Sequence, residues 1–115
     1  MGEQASGPRF EPWELERTDR TLGVLTTNSR DGYPHSVPVG VRWEDGALRF
    51  ETDSNAQKLR NLQNDPRVSI LIHGKPKWGV LIQGRAEILS RGTGREQSQV
   101  RVVPQKKASW RRKED

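Results

Sequence analysis

Apolar and polar positions alternate through most of the middle of the 115-residue chain. Between residues 33 and 43 every second side chain is apolar or aromatic, with His35 as the one interruption, which is typical of a half-buried β-strand. Similar β-prone segments occur at residues 22–27, 48–52, 67–73, 78–89 and 100–103. The pattern therefore predicts six strands.

Two Asp-Gly pairs separate the first three strands, within Arg30-Asp31-Gly32 and Glu44-Asp45-Gly46. Asp-Gly between alternating segments is a strong hairpin signal. Pro34 and Pro38 share the polar side of the second strand, and proline cannot donate a hydrogen bond to a β-ladder. They predict an edge, a bulge, or a boundary where another group meets the backbone. Strands joined by hairpins at regular spacing predict an antiparallel sheet that forms a closed or split barrel.

The period changes between residues 54 and 64. Ala56, Leu59 and Leu62 are spaced by three residues and predict a short helix with one narrow apolar stripe. Ser54 and Gln57 match a capping box at its start, and Asp65-Pro66 predicts its end. We therefore expect a mainly β protein, a six-stranded antiparallel split barrel with one short helix between strands three and four.

Three segments follow from this interpretation: an N-terminal arm at residues 1–20, a barrel domain at 21–103, and a basic tail at 104–115. The arm is polar apart from a few large apolar residues, so we expect a loose segment that packs at most one short turn. Residues 91–98 are polar and contain glycine, which predicts a linker before the last strand.

The amino-acid composition excludes several classes of protein and of binding site. With 30% hydrophobic residues and no Cys, the chain has a thin core that a partner subunit would complete, and it lacks disulfides and thiolate metal sites. His35 and His73 are the two histidines, so we expect no metal site. The apolar stretches are far shorter than the ~20 residues of a membrane span, and residues 1–10 lack a secretory apolar region. We expect a cytoplasmic protein with no membrane partner.

The net charge of +5 lies at one end of the chain. Residues 1–90 hold 12 basic and 12 acidic residues, whereas residues 91–115 hold 8 and 3. Such a tail is either a solvated chain end or a positive field for a polyanion, such as a polyglutamate-bearing coenzyme or RNA. Because the body is neutral and its strands lack interleaved exposed aromatics, a small nucleic-acid-binding barrel is the weaker alternative.

The start of the predicted helix is the strongest candidate for chemistry. The first turn of a helix offers unpaired N–H groups to an anion, and Ser54 and Lys58 lie there, followed by Arg60 and Asn61. The alternative is an ordinary cap with solvated Lys and Arg side chains. His35 is either a proton donor or a strand histidine whose hydrogen bonds a neighbour satisfies.

Five short motifs follow one another in order: Asp31-Gly32-x-Pro34-His35, Asp45-Gly46-x-Leu48-x-Phe50, Lys58-x-Arg60-Asn61-Leu62, Asp65-Pro66-Arg67-Val68 and Gly84-Arg85-Ala86-Glu87. Their order and spacing resemble the pyridoxamine 5′-phosphate oxidase-like superfamily of flavin- or deazaflavin-binding split β-barrels. The resemblance covers residues 21–90. It implies a homodimer with the cofactor in a groove between subunits, where a hydride passes between coenzyme F-420, or FMN, and a small organic substrate.

The resemblance also implies the contacts of the cofactor. Lys58, with Ser54 and Asn61, meets the phosphate, and the stretch Ser36, Val37, Pro38 and Val39 runs beside the isoalloxazine ring. Further implied contacts are Thr52, Arg60, Trp78 and Gln83. Trp78 and Gln83 lie on opposite faces of the fifth strand, so both reach the groove only if Gly79 or Gly84 supplies a bulge.

The chain departs from the family in two segments. The family's ordered N-terminal helix is not evident in residues 1–20, and a linker replaces the helix that many members carry between strands five and six. Val100–Val103 and Ser109-Trp110 resemble the closing strand and the tail, but the substrate-binding segment of pyridoxamine phosphate oxidases is not matched. The alternative function is therefore a cofactor-binding or cofactor-storage module without turnover.

Overall fold

The computed structural model of the protein describes residues 7–93 and 96–112. Their elements are α1 (Pro12–Thr18), β1 (Thr21–Asn28), β2 (Pro34–Glu44), β3 (Ala47–Asp53), α2 (Gln57–Asn64), β4 (Arg67–Gly74), β5 (Trp78–Ser90) and β6 (Gln97–Arg111). The strands are antiparallel and close into a barrel in the order β1-β2-β3-β6-β5-β4. The mainly β, six-stranded barrel predicted from the sequence is confirmed.

The barrel interior is filled by the apolar positions of the alternating pattern. Leu25, Val39, Val41, Leu48, Phe50, Val68, Ile70, Ile72, Val80, Ile82, Val100 and Val102 form this core, and α2 adds Leu59 and Leu62. Each such side chain contributes about 1.5–3 kcal/mol when it leaves water. The two-residue period was therefore sufficient to predict which face of each strand is inside.

Both Asp-Gly pairs form the expected turns. In the β2–β3 hairpin, Asp45 and Gly46 have φ angles of 55° and 78°, and a two-residue type I′ turn requires positive φ at both positions. In the β1–β2 connection, Gly32 has a φ of 91°. Glycine is the residue that accepts this conformation without steric strain.

β2 and β3 separate soon after their hairpin, and this gap is the split of the barrel. Their pairing covers only Arg42–Glu44 on β2 and Ala47–Arg49 on β3. Further along, β2 pairs with β1 over Pro34–Val41, whereas β3 pairs with β6. One backbone edge of β2 is thus open over most of its length.

The prolines of β2 face this open edge. Glu44 and Ala47 close the two-residue hairpin and exchange both of their backbone hydrogen bonds, so the backbone groups of Glu44 point toward β3. Every second residue back along β2 points its backbone groups to this same side. Pro34 and Pro38 are in that set and remove no ladder bond. The backbone N–H of Trp43, one residue out of phase, donates to Asp19 Oδ1 at 2.8 Å on the other side. Pro34 and Pro38 therefore mark an edge, as one of the three interpretations predicts.

The N-terminal arm is ordered by a helix, and the prediction of a loose segment is wrong for Pro12–Thr18. Glu14 and Thr18 of α1 are fully buried, and the backbone N–H of Glu11 donates to Glu14 Oε1 at 2.7 Å. A seven-residue helix with few apolar side chains gives almost no periodic signal. Its stability comes from packing against the barrel rather than from its own propensity.

The last strand is much longer than Val100–Val103, because Gln97–Arg111 forms one strand, β6. It pairs with β3 over Gln97–Val102 and with β5 from Gln99 as far as Arg111, so residues 104–111 are not a tail. Residues 113–115 lie outside the described part of the chain. The strand passes Pro104 through a bulge, where Gly84 pairs with Pro104 and Gln83 with Lys106.

Neither α1 nor α2, the two helices of the described residues, is long and apolar enough to span a bilayer.

Candidate functional site

α2 crosses one end of the barrel. It follows β3 and leads into β4, which lies beside β1. Asn61 Nδ2 donates to Thr27 Oγ1 of β1 at 2.9 Å, and Asn28 Nδ2 donates to Asp65 Oδ2 at 3.1 Å just past the helix. The second half of α2 is therefore fixed over β1, while its first half follows shortly after β3 in the chain.

Lys58 lies on the barrel-facing side of α2. At about 100° per residue, it falls between Asn61 and Leu62, which are both buried. It precedes Asn61 by three residues, or ~4.5 Å of helix, which is close to the ~4.8 Å between neighbouring strands. Asn61 contacts Thr27 on β1, and the residue of β2 opposite Thr27 is His35.

His35 is half-buried at this end of β2, and its Nδ1 atom is buried without a hydrogen-bond partner among the described residues. Its side chain shares the inward face of β2 with Val37 and Val39. The interpretation of His35 as a strand histidine satisfied by a neighbour is therefore wrong for Nδ1. Lys58, one turn before Asn61 on α2, and His35, opposite Thr27 on β2, thus both neighbour the hydrogen bond between Asn61 and Thr27.

Two of the predicted phosphate ligands are held by the chain itself. Asn61 is only 2% exposed, and besides its bond to Thr27 it accepts from Gln57 Nε2 at 2.8 Å. Ser54 Oγ donates to the Glu96 carbonyl at 2.6 Å and lies 2.8 Å from Ser98 Oγ. The predicted Ser54 cap is wrong, because α2 begins later, with Ala56 as N-cap and no side-chain cap bond.

Arg60 lies on the opposite side of α2 from Lys58. Its guanidinium donates to the Asn55 carbonyl at 2.7 Å and to Gln57 Oε1 at 2.8 Å. On this side a polar cavity of 420 Å³ lies between α2 and Arg30 of the β1–β2 connection. The structure thus separates two cations that the sequence grouped in one site.

The stretch of β2 predicted to run beside the ring alternates between two environments. Ser36 and Pro38 are exposed on the outer face, whereas Val37 is half-buried and Val39 buried in the core. Thr52 on β3 is also buried inside the barrel, 3% exposed. Val39 and Thr52 therefore present no side chain to a surface groove.

The structure also separates Trp78 from Gln83. Trp78 lies near α1, with the Arg17 guanidinium 5.1 Å from its ring centroid, while Gln83 is exposed on the outer face of β5. The bulge lies at Gly84, one of the two glycines at which the sequence predicted it. Its extra residue, Gln105, belongs to β6. It leaves the two side chains on opposite faces, so one surface of a single protomer does not contain both.

Two parallel rows of side chains cross five strands on the outer face. The polar row is Ser36, Thr26, Ser69, Gln83 and Lys106. The apolar row beside it is Pro38, Val24, Leu71, Leu81 and Ala108. At ~4.8 Å per strand, Ser36 and Gln83 are ~14 Å apart. The sequence shows these residue types but not the register that aligns them.

The cations of the predicted basic tail do not form one field. Lys107 pairs with the buried Glu14, Arg111 lies 4.5 Å from the Trp13 ring centroid, and Lys106 faces outward in the polar row. Burial by itself raises the pKa of Glu14. Hydrogen bonds from Lys107, from Ser109 and from the Glu11 backbone outweigh burial, and the net effect lowers that pKa. Two of these cations, Lys107 and Arg111, therefore contact α1.

A second cleft, of 820 Å³, lies at the other end of the barrel, lined by Phe10, Leu15, Trp43, Val103 and Pro104 among others. None of the sequence-predicted site residues borders it. The described residues contain no group of three or more His, Asp or Glu side chains that could hold a metal ion.

The comparisons with known proteins agree with this architecture. The family model described as pyridoxamine 5′-phosphate oxidase matches residues 14–113. The chain belongs to this family. The match includes residues 14–18 of α1, in the arm where the family's N-terminal helix was not evident from the sequence, and all of β6.

Solved structures of the same fold cover most of the chain. A conserved hypothetical protein from Mycobacterium tuberculosis is 26% identical with a TM-score of 0.77, over 92% of this chain and 87% of that one. An F420 reductase is 18% identical with a TM-score of 0.73, over 87% and 98%. A FAD-binding protein from Mesorhizobium loti is 19% identical with a TM-score of 0.69, over 84% and 87%. No curated protein matches the chain.

Proposed function

We propose that this member of the pyridoxamine 5′-phosphate oxidase family is an oxidoreductase that transfers a hydride between coenzyme F-420, or FMN, and a small organic substrate. The observation that carries the proposal is the open edge of β2, together with a barrel-facing Lys58 on the helix at the same end of the barrel. Both coenzymes combine a phosphate with a planar ring. A cation at a helix start and an unpaired strand edge are suited to these two parts.

The start of α2 fits the phosphate. Its N-cap, Ala56, provides no side-chain hydrogen bond, and no acidic residue lies in its first turn. Among the described residues Lys58 forms no ion pair. Free N–H groups, the positive end of the helix and a lysine together favour an anion.

The open edge of β2 fits the ring. Backbone groups of Ser36 and Gly40 face the gap between β2 and β3, where they have no strand partner. A Cβ atom added at Gly40 would meet nothing within 4 Å, so the outer face of β2 beside this edge is open. When bound, the coenzyme supplies the hydride chemistry. The chain anchors its phosphate, orients its ring and excludes water from one side.

A second copy of the chain completes the groove in this proposal. Leu22 and Trp110, which are 70% and 49% exposed, lie on the outer face near the apolar row. A contiguous exposed apolar face on a small protein marks an interaction surface. A homodimer formed through this apolar face would cover it. It would also bring Gln83 of the partner subunit toward the ring, and the small-molecule substrate would bind between that side chain and the ring.

Lys58→Ala is expected to weaken FMN or F-420 binding by about 1.5–3 kcal/mol, the scale of a hydrogen bond to a charged group. The melting temperature of the apo protein should hardly change, since Lys58 is half-buried and forms no ion pair among the described residues. Absorbance titrations with each coenzyme measure the effect. Arg60→Ala, on the other side of the same helix, is the control and should keep the affinity. Unchanged binding in Lys58→Ala would place the phosphate elsewhere.

Leu22→Glu is expected to convert the dimer to a monomer of 13.1 kDa, because it places a charge on the proposed apolar interface. Light scattering at micromolar concentration measures the mass. Tyr33→Glu is the control, since Tyr33 is equally exposed, at 73%, but lies at the β1–β2 turn. A wild-type protein that is monomeric with its coenzyme bound would contradict the shared groove.

A cofactor-storage module without turnover is the second candidate. The observation in its favour is the short connection between Ser90 of β5 and Gln97 of β6, where many members of the family carry a helix that would bound the substrate cavity. Tight coenzyme binding without steady-state reduction of any member of a panel of acceptors would support storage. Turnover with one acceptor would support the enzyme.

A further inference from the structure

We propose that His35 is the second ligand of the coenzyme phosphate and binds it together with Lys58. The inference rests on the proposed function and names a residue that the sequence did not place at the phosphate. Three observations carry it: the position of His35 opposite Thr27, which α2 contacts through Asn61, the unpartnered Nδ1 atom, and the internal bonds that occupy the ligands expected instead.

The position follows from the register of the strands and the rise of the helix. His35 is paired with Thr27, and Thr27 is bonded to Asn61 on α2. One strand spacing from β1 to β2 corresponds to about one turn back along α2, from Asn61 to Lys58. The imidazole and the lysine therefore approach the same end of the open edge, from the strand and from the helix.

The chemistry follows from the buried Nδ1 atom. A proton on Nδ1 would leave a buried N–H donor without an acceptor, which is costly. The neutral ring is therefore expected to carry its proton on Nε2, since an imidazole has one donor and one acceptor nitrogen. The ring is half-buried, with Nδ1 inside. Nε2–H is then the donor available to an anion at the split.

The site needs such a donor because the side chains expected there are occupied. Ser54 is bonded to the segment before β6, and Asn61 is bonded to Thr27 and Gln57. Lys58 provides charge but no fixed direction. A neutral donor on a rigid strand opposite the lysine would orient the phosphate, which a flexible ammonium alone does not do.

The test compares coenzymes with and without the phosphate. Wild type, His35→Asn and His35→Gln are titrated with FMN and with riboflavin, which has the same ring and no phosphate. The amide of Gln places a donor near the position of Nε2, whereas that of Asn reaches only the position of Nδ1. We expect His35→Asn to lose about 10- to 100-fold in FMN affinity, with riboflavin affinity unchanged, and His35→Gln to retain most of the FMN affinity.

The controls separate this inference from the proposed function. His73→Asn, at an exposed position on β4, should keep the FMN affinity, and the melting temperature of each variant reports folding. One outcome overturns only the role of His35: the wild type prefers FMN to riboflavin, Lys58→Ala removes this preference, and His35→Asn keeps it. If wild type binds FMN and riboflavin equally, and F-420 no better than its phosphate-free deazaflavin, both proposals fail.

An NMR measurement that begins with the apo protein tests the tautomer of His35 directly. Long-range ¹H–¹⁵N correlation spectra distinguish a proton on Nε2 from one on Nδ1. In the apo protein the neutral His35 ring is expected to carry the proton on Nε2, and its Nε2 resonance should shift when FMN, but not riboflavin, is added. A proton on Nδ1 would overturn the proposal.

Discussion

Glu14→Gln is expected to lower the free energy of unfolding by about 3 kcal/mol and the melting temperature by about 10–20 °C. The carboxylate is fully buried and accepts from Lys107, from Ser109 and from the Glu11 backbone. The substitution keeps the size of the side chain but removes its charge. Lys107, whose side chain is 19% exposed, then loses its ion pair. Chemical and thermal denaturation measure the loss.

Two variants test the cause of this loss. Glu16→Gln, at an exposed position on the same helix, should change stability by less than about 0.5 kcal/mol. Adding Lys107→Met to Glu14→Gln should recover part of the loss, because the remaining unpaired charge is removed. A loss below about 1 kcal/mol in Glu14→Gln would show that the pair does not anchor α1 to β6.

The stability difference between wild type and Glu14→Gln is also expected to depend on pH. Because the folded state lowers the pKa of Glu14, its contribution to stability is present above the ordinary titration range of a carboxyl and is lost as the pH falls through it. The stability difference between wild type and Glu14→Gln should therefore be constant near neutral pH and should shrink below about pH 4. A difference that grows with acidity would contradict this assignment.

Gly84→Ala is expected to destabilise the protein by about 1–3 kcal/mol, the cost of forcing an extra methyl group into a packed site. A Cβ at this position would lie 2.1 Å from the backbone oxygen of Val103 and 3.1 Å from Cα of Pro104. These atoms belong to the bulge of β6 and do not move as a flexible side chain would. Denaturation in urea measures the change.

Gly40→Ala is the matched control for this substitution. Gly40 also lies in a strand, but a Cβ there meets nothing within 4 Å. Its replacement should be neutral or should stabilise the protein by about 0.4–1 kcal/mol, since alanine has less conformational freedom in the unfolded chain. Equal losses in both variants would indicate a general cost of replacing strand glycines rather than a close contact at the bulge.

The sequence by itself was enough to predict the number of strands, two turns and the core. Those features depend on contacts between residues close in the chain: alternation places Val39 and Ile70 inside, and Asp45-Gly46 accepts the φ angles of a tight hairpin. The order of short motifs was enough to predict the family that the family model confirms. The individual cofactor contacts stay predictions.

Only the tertiary structure decided the features that depend on distant residues. α1 is held by Lys107, 93 positions away, and β6 continues past Pro104 because β5 offers Gly84 at the bulge. The same holds for the site, where Ser54 is bonded to the Glu96 carbonyl and Nδ1 of His35 is buried without a partner among the described residues. Local periodicity reports which face of an element is apolar, because burial imposes it residue by residue. It does not report which hydrogen-bonding groups find partners, because those partners are chosen by the register of strands that are far apart in the chain.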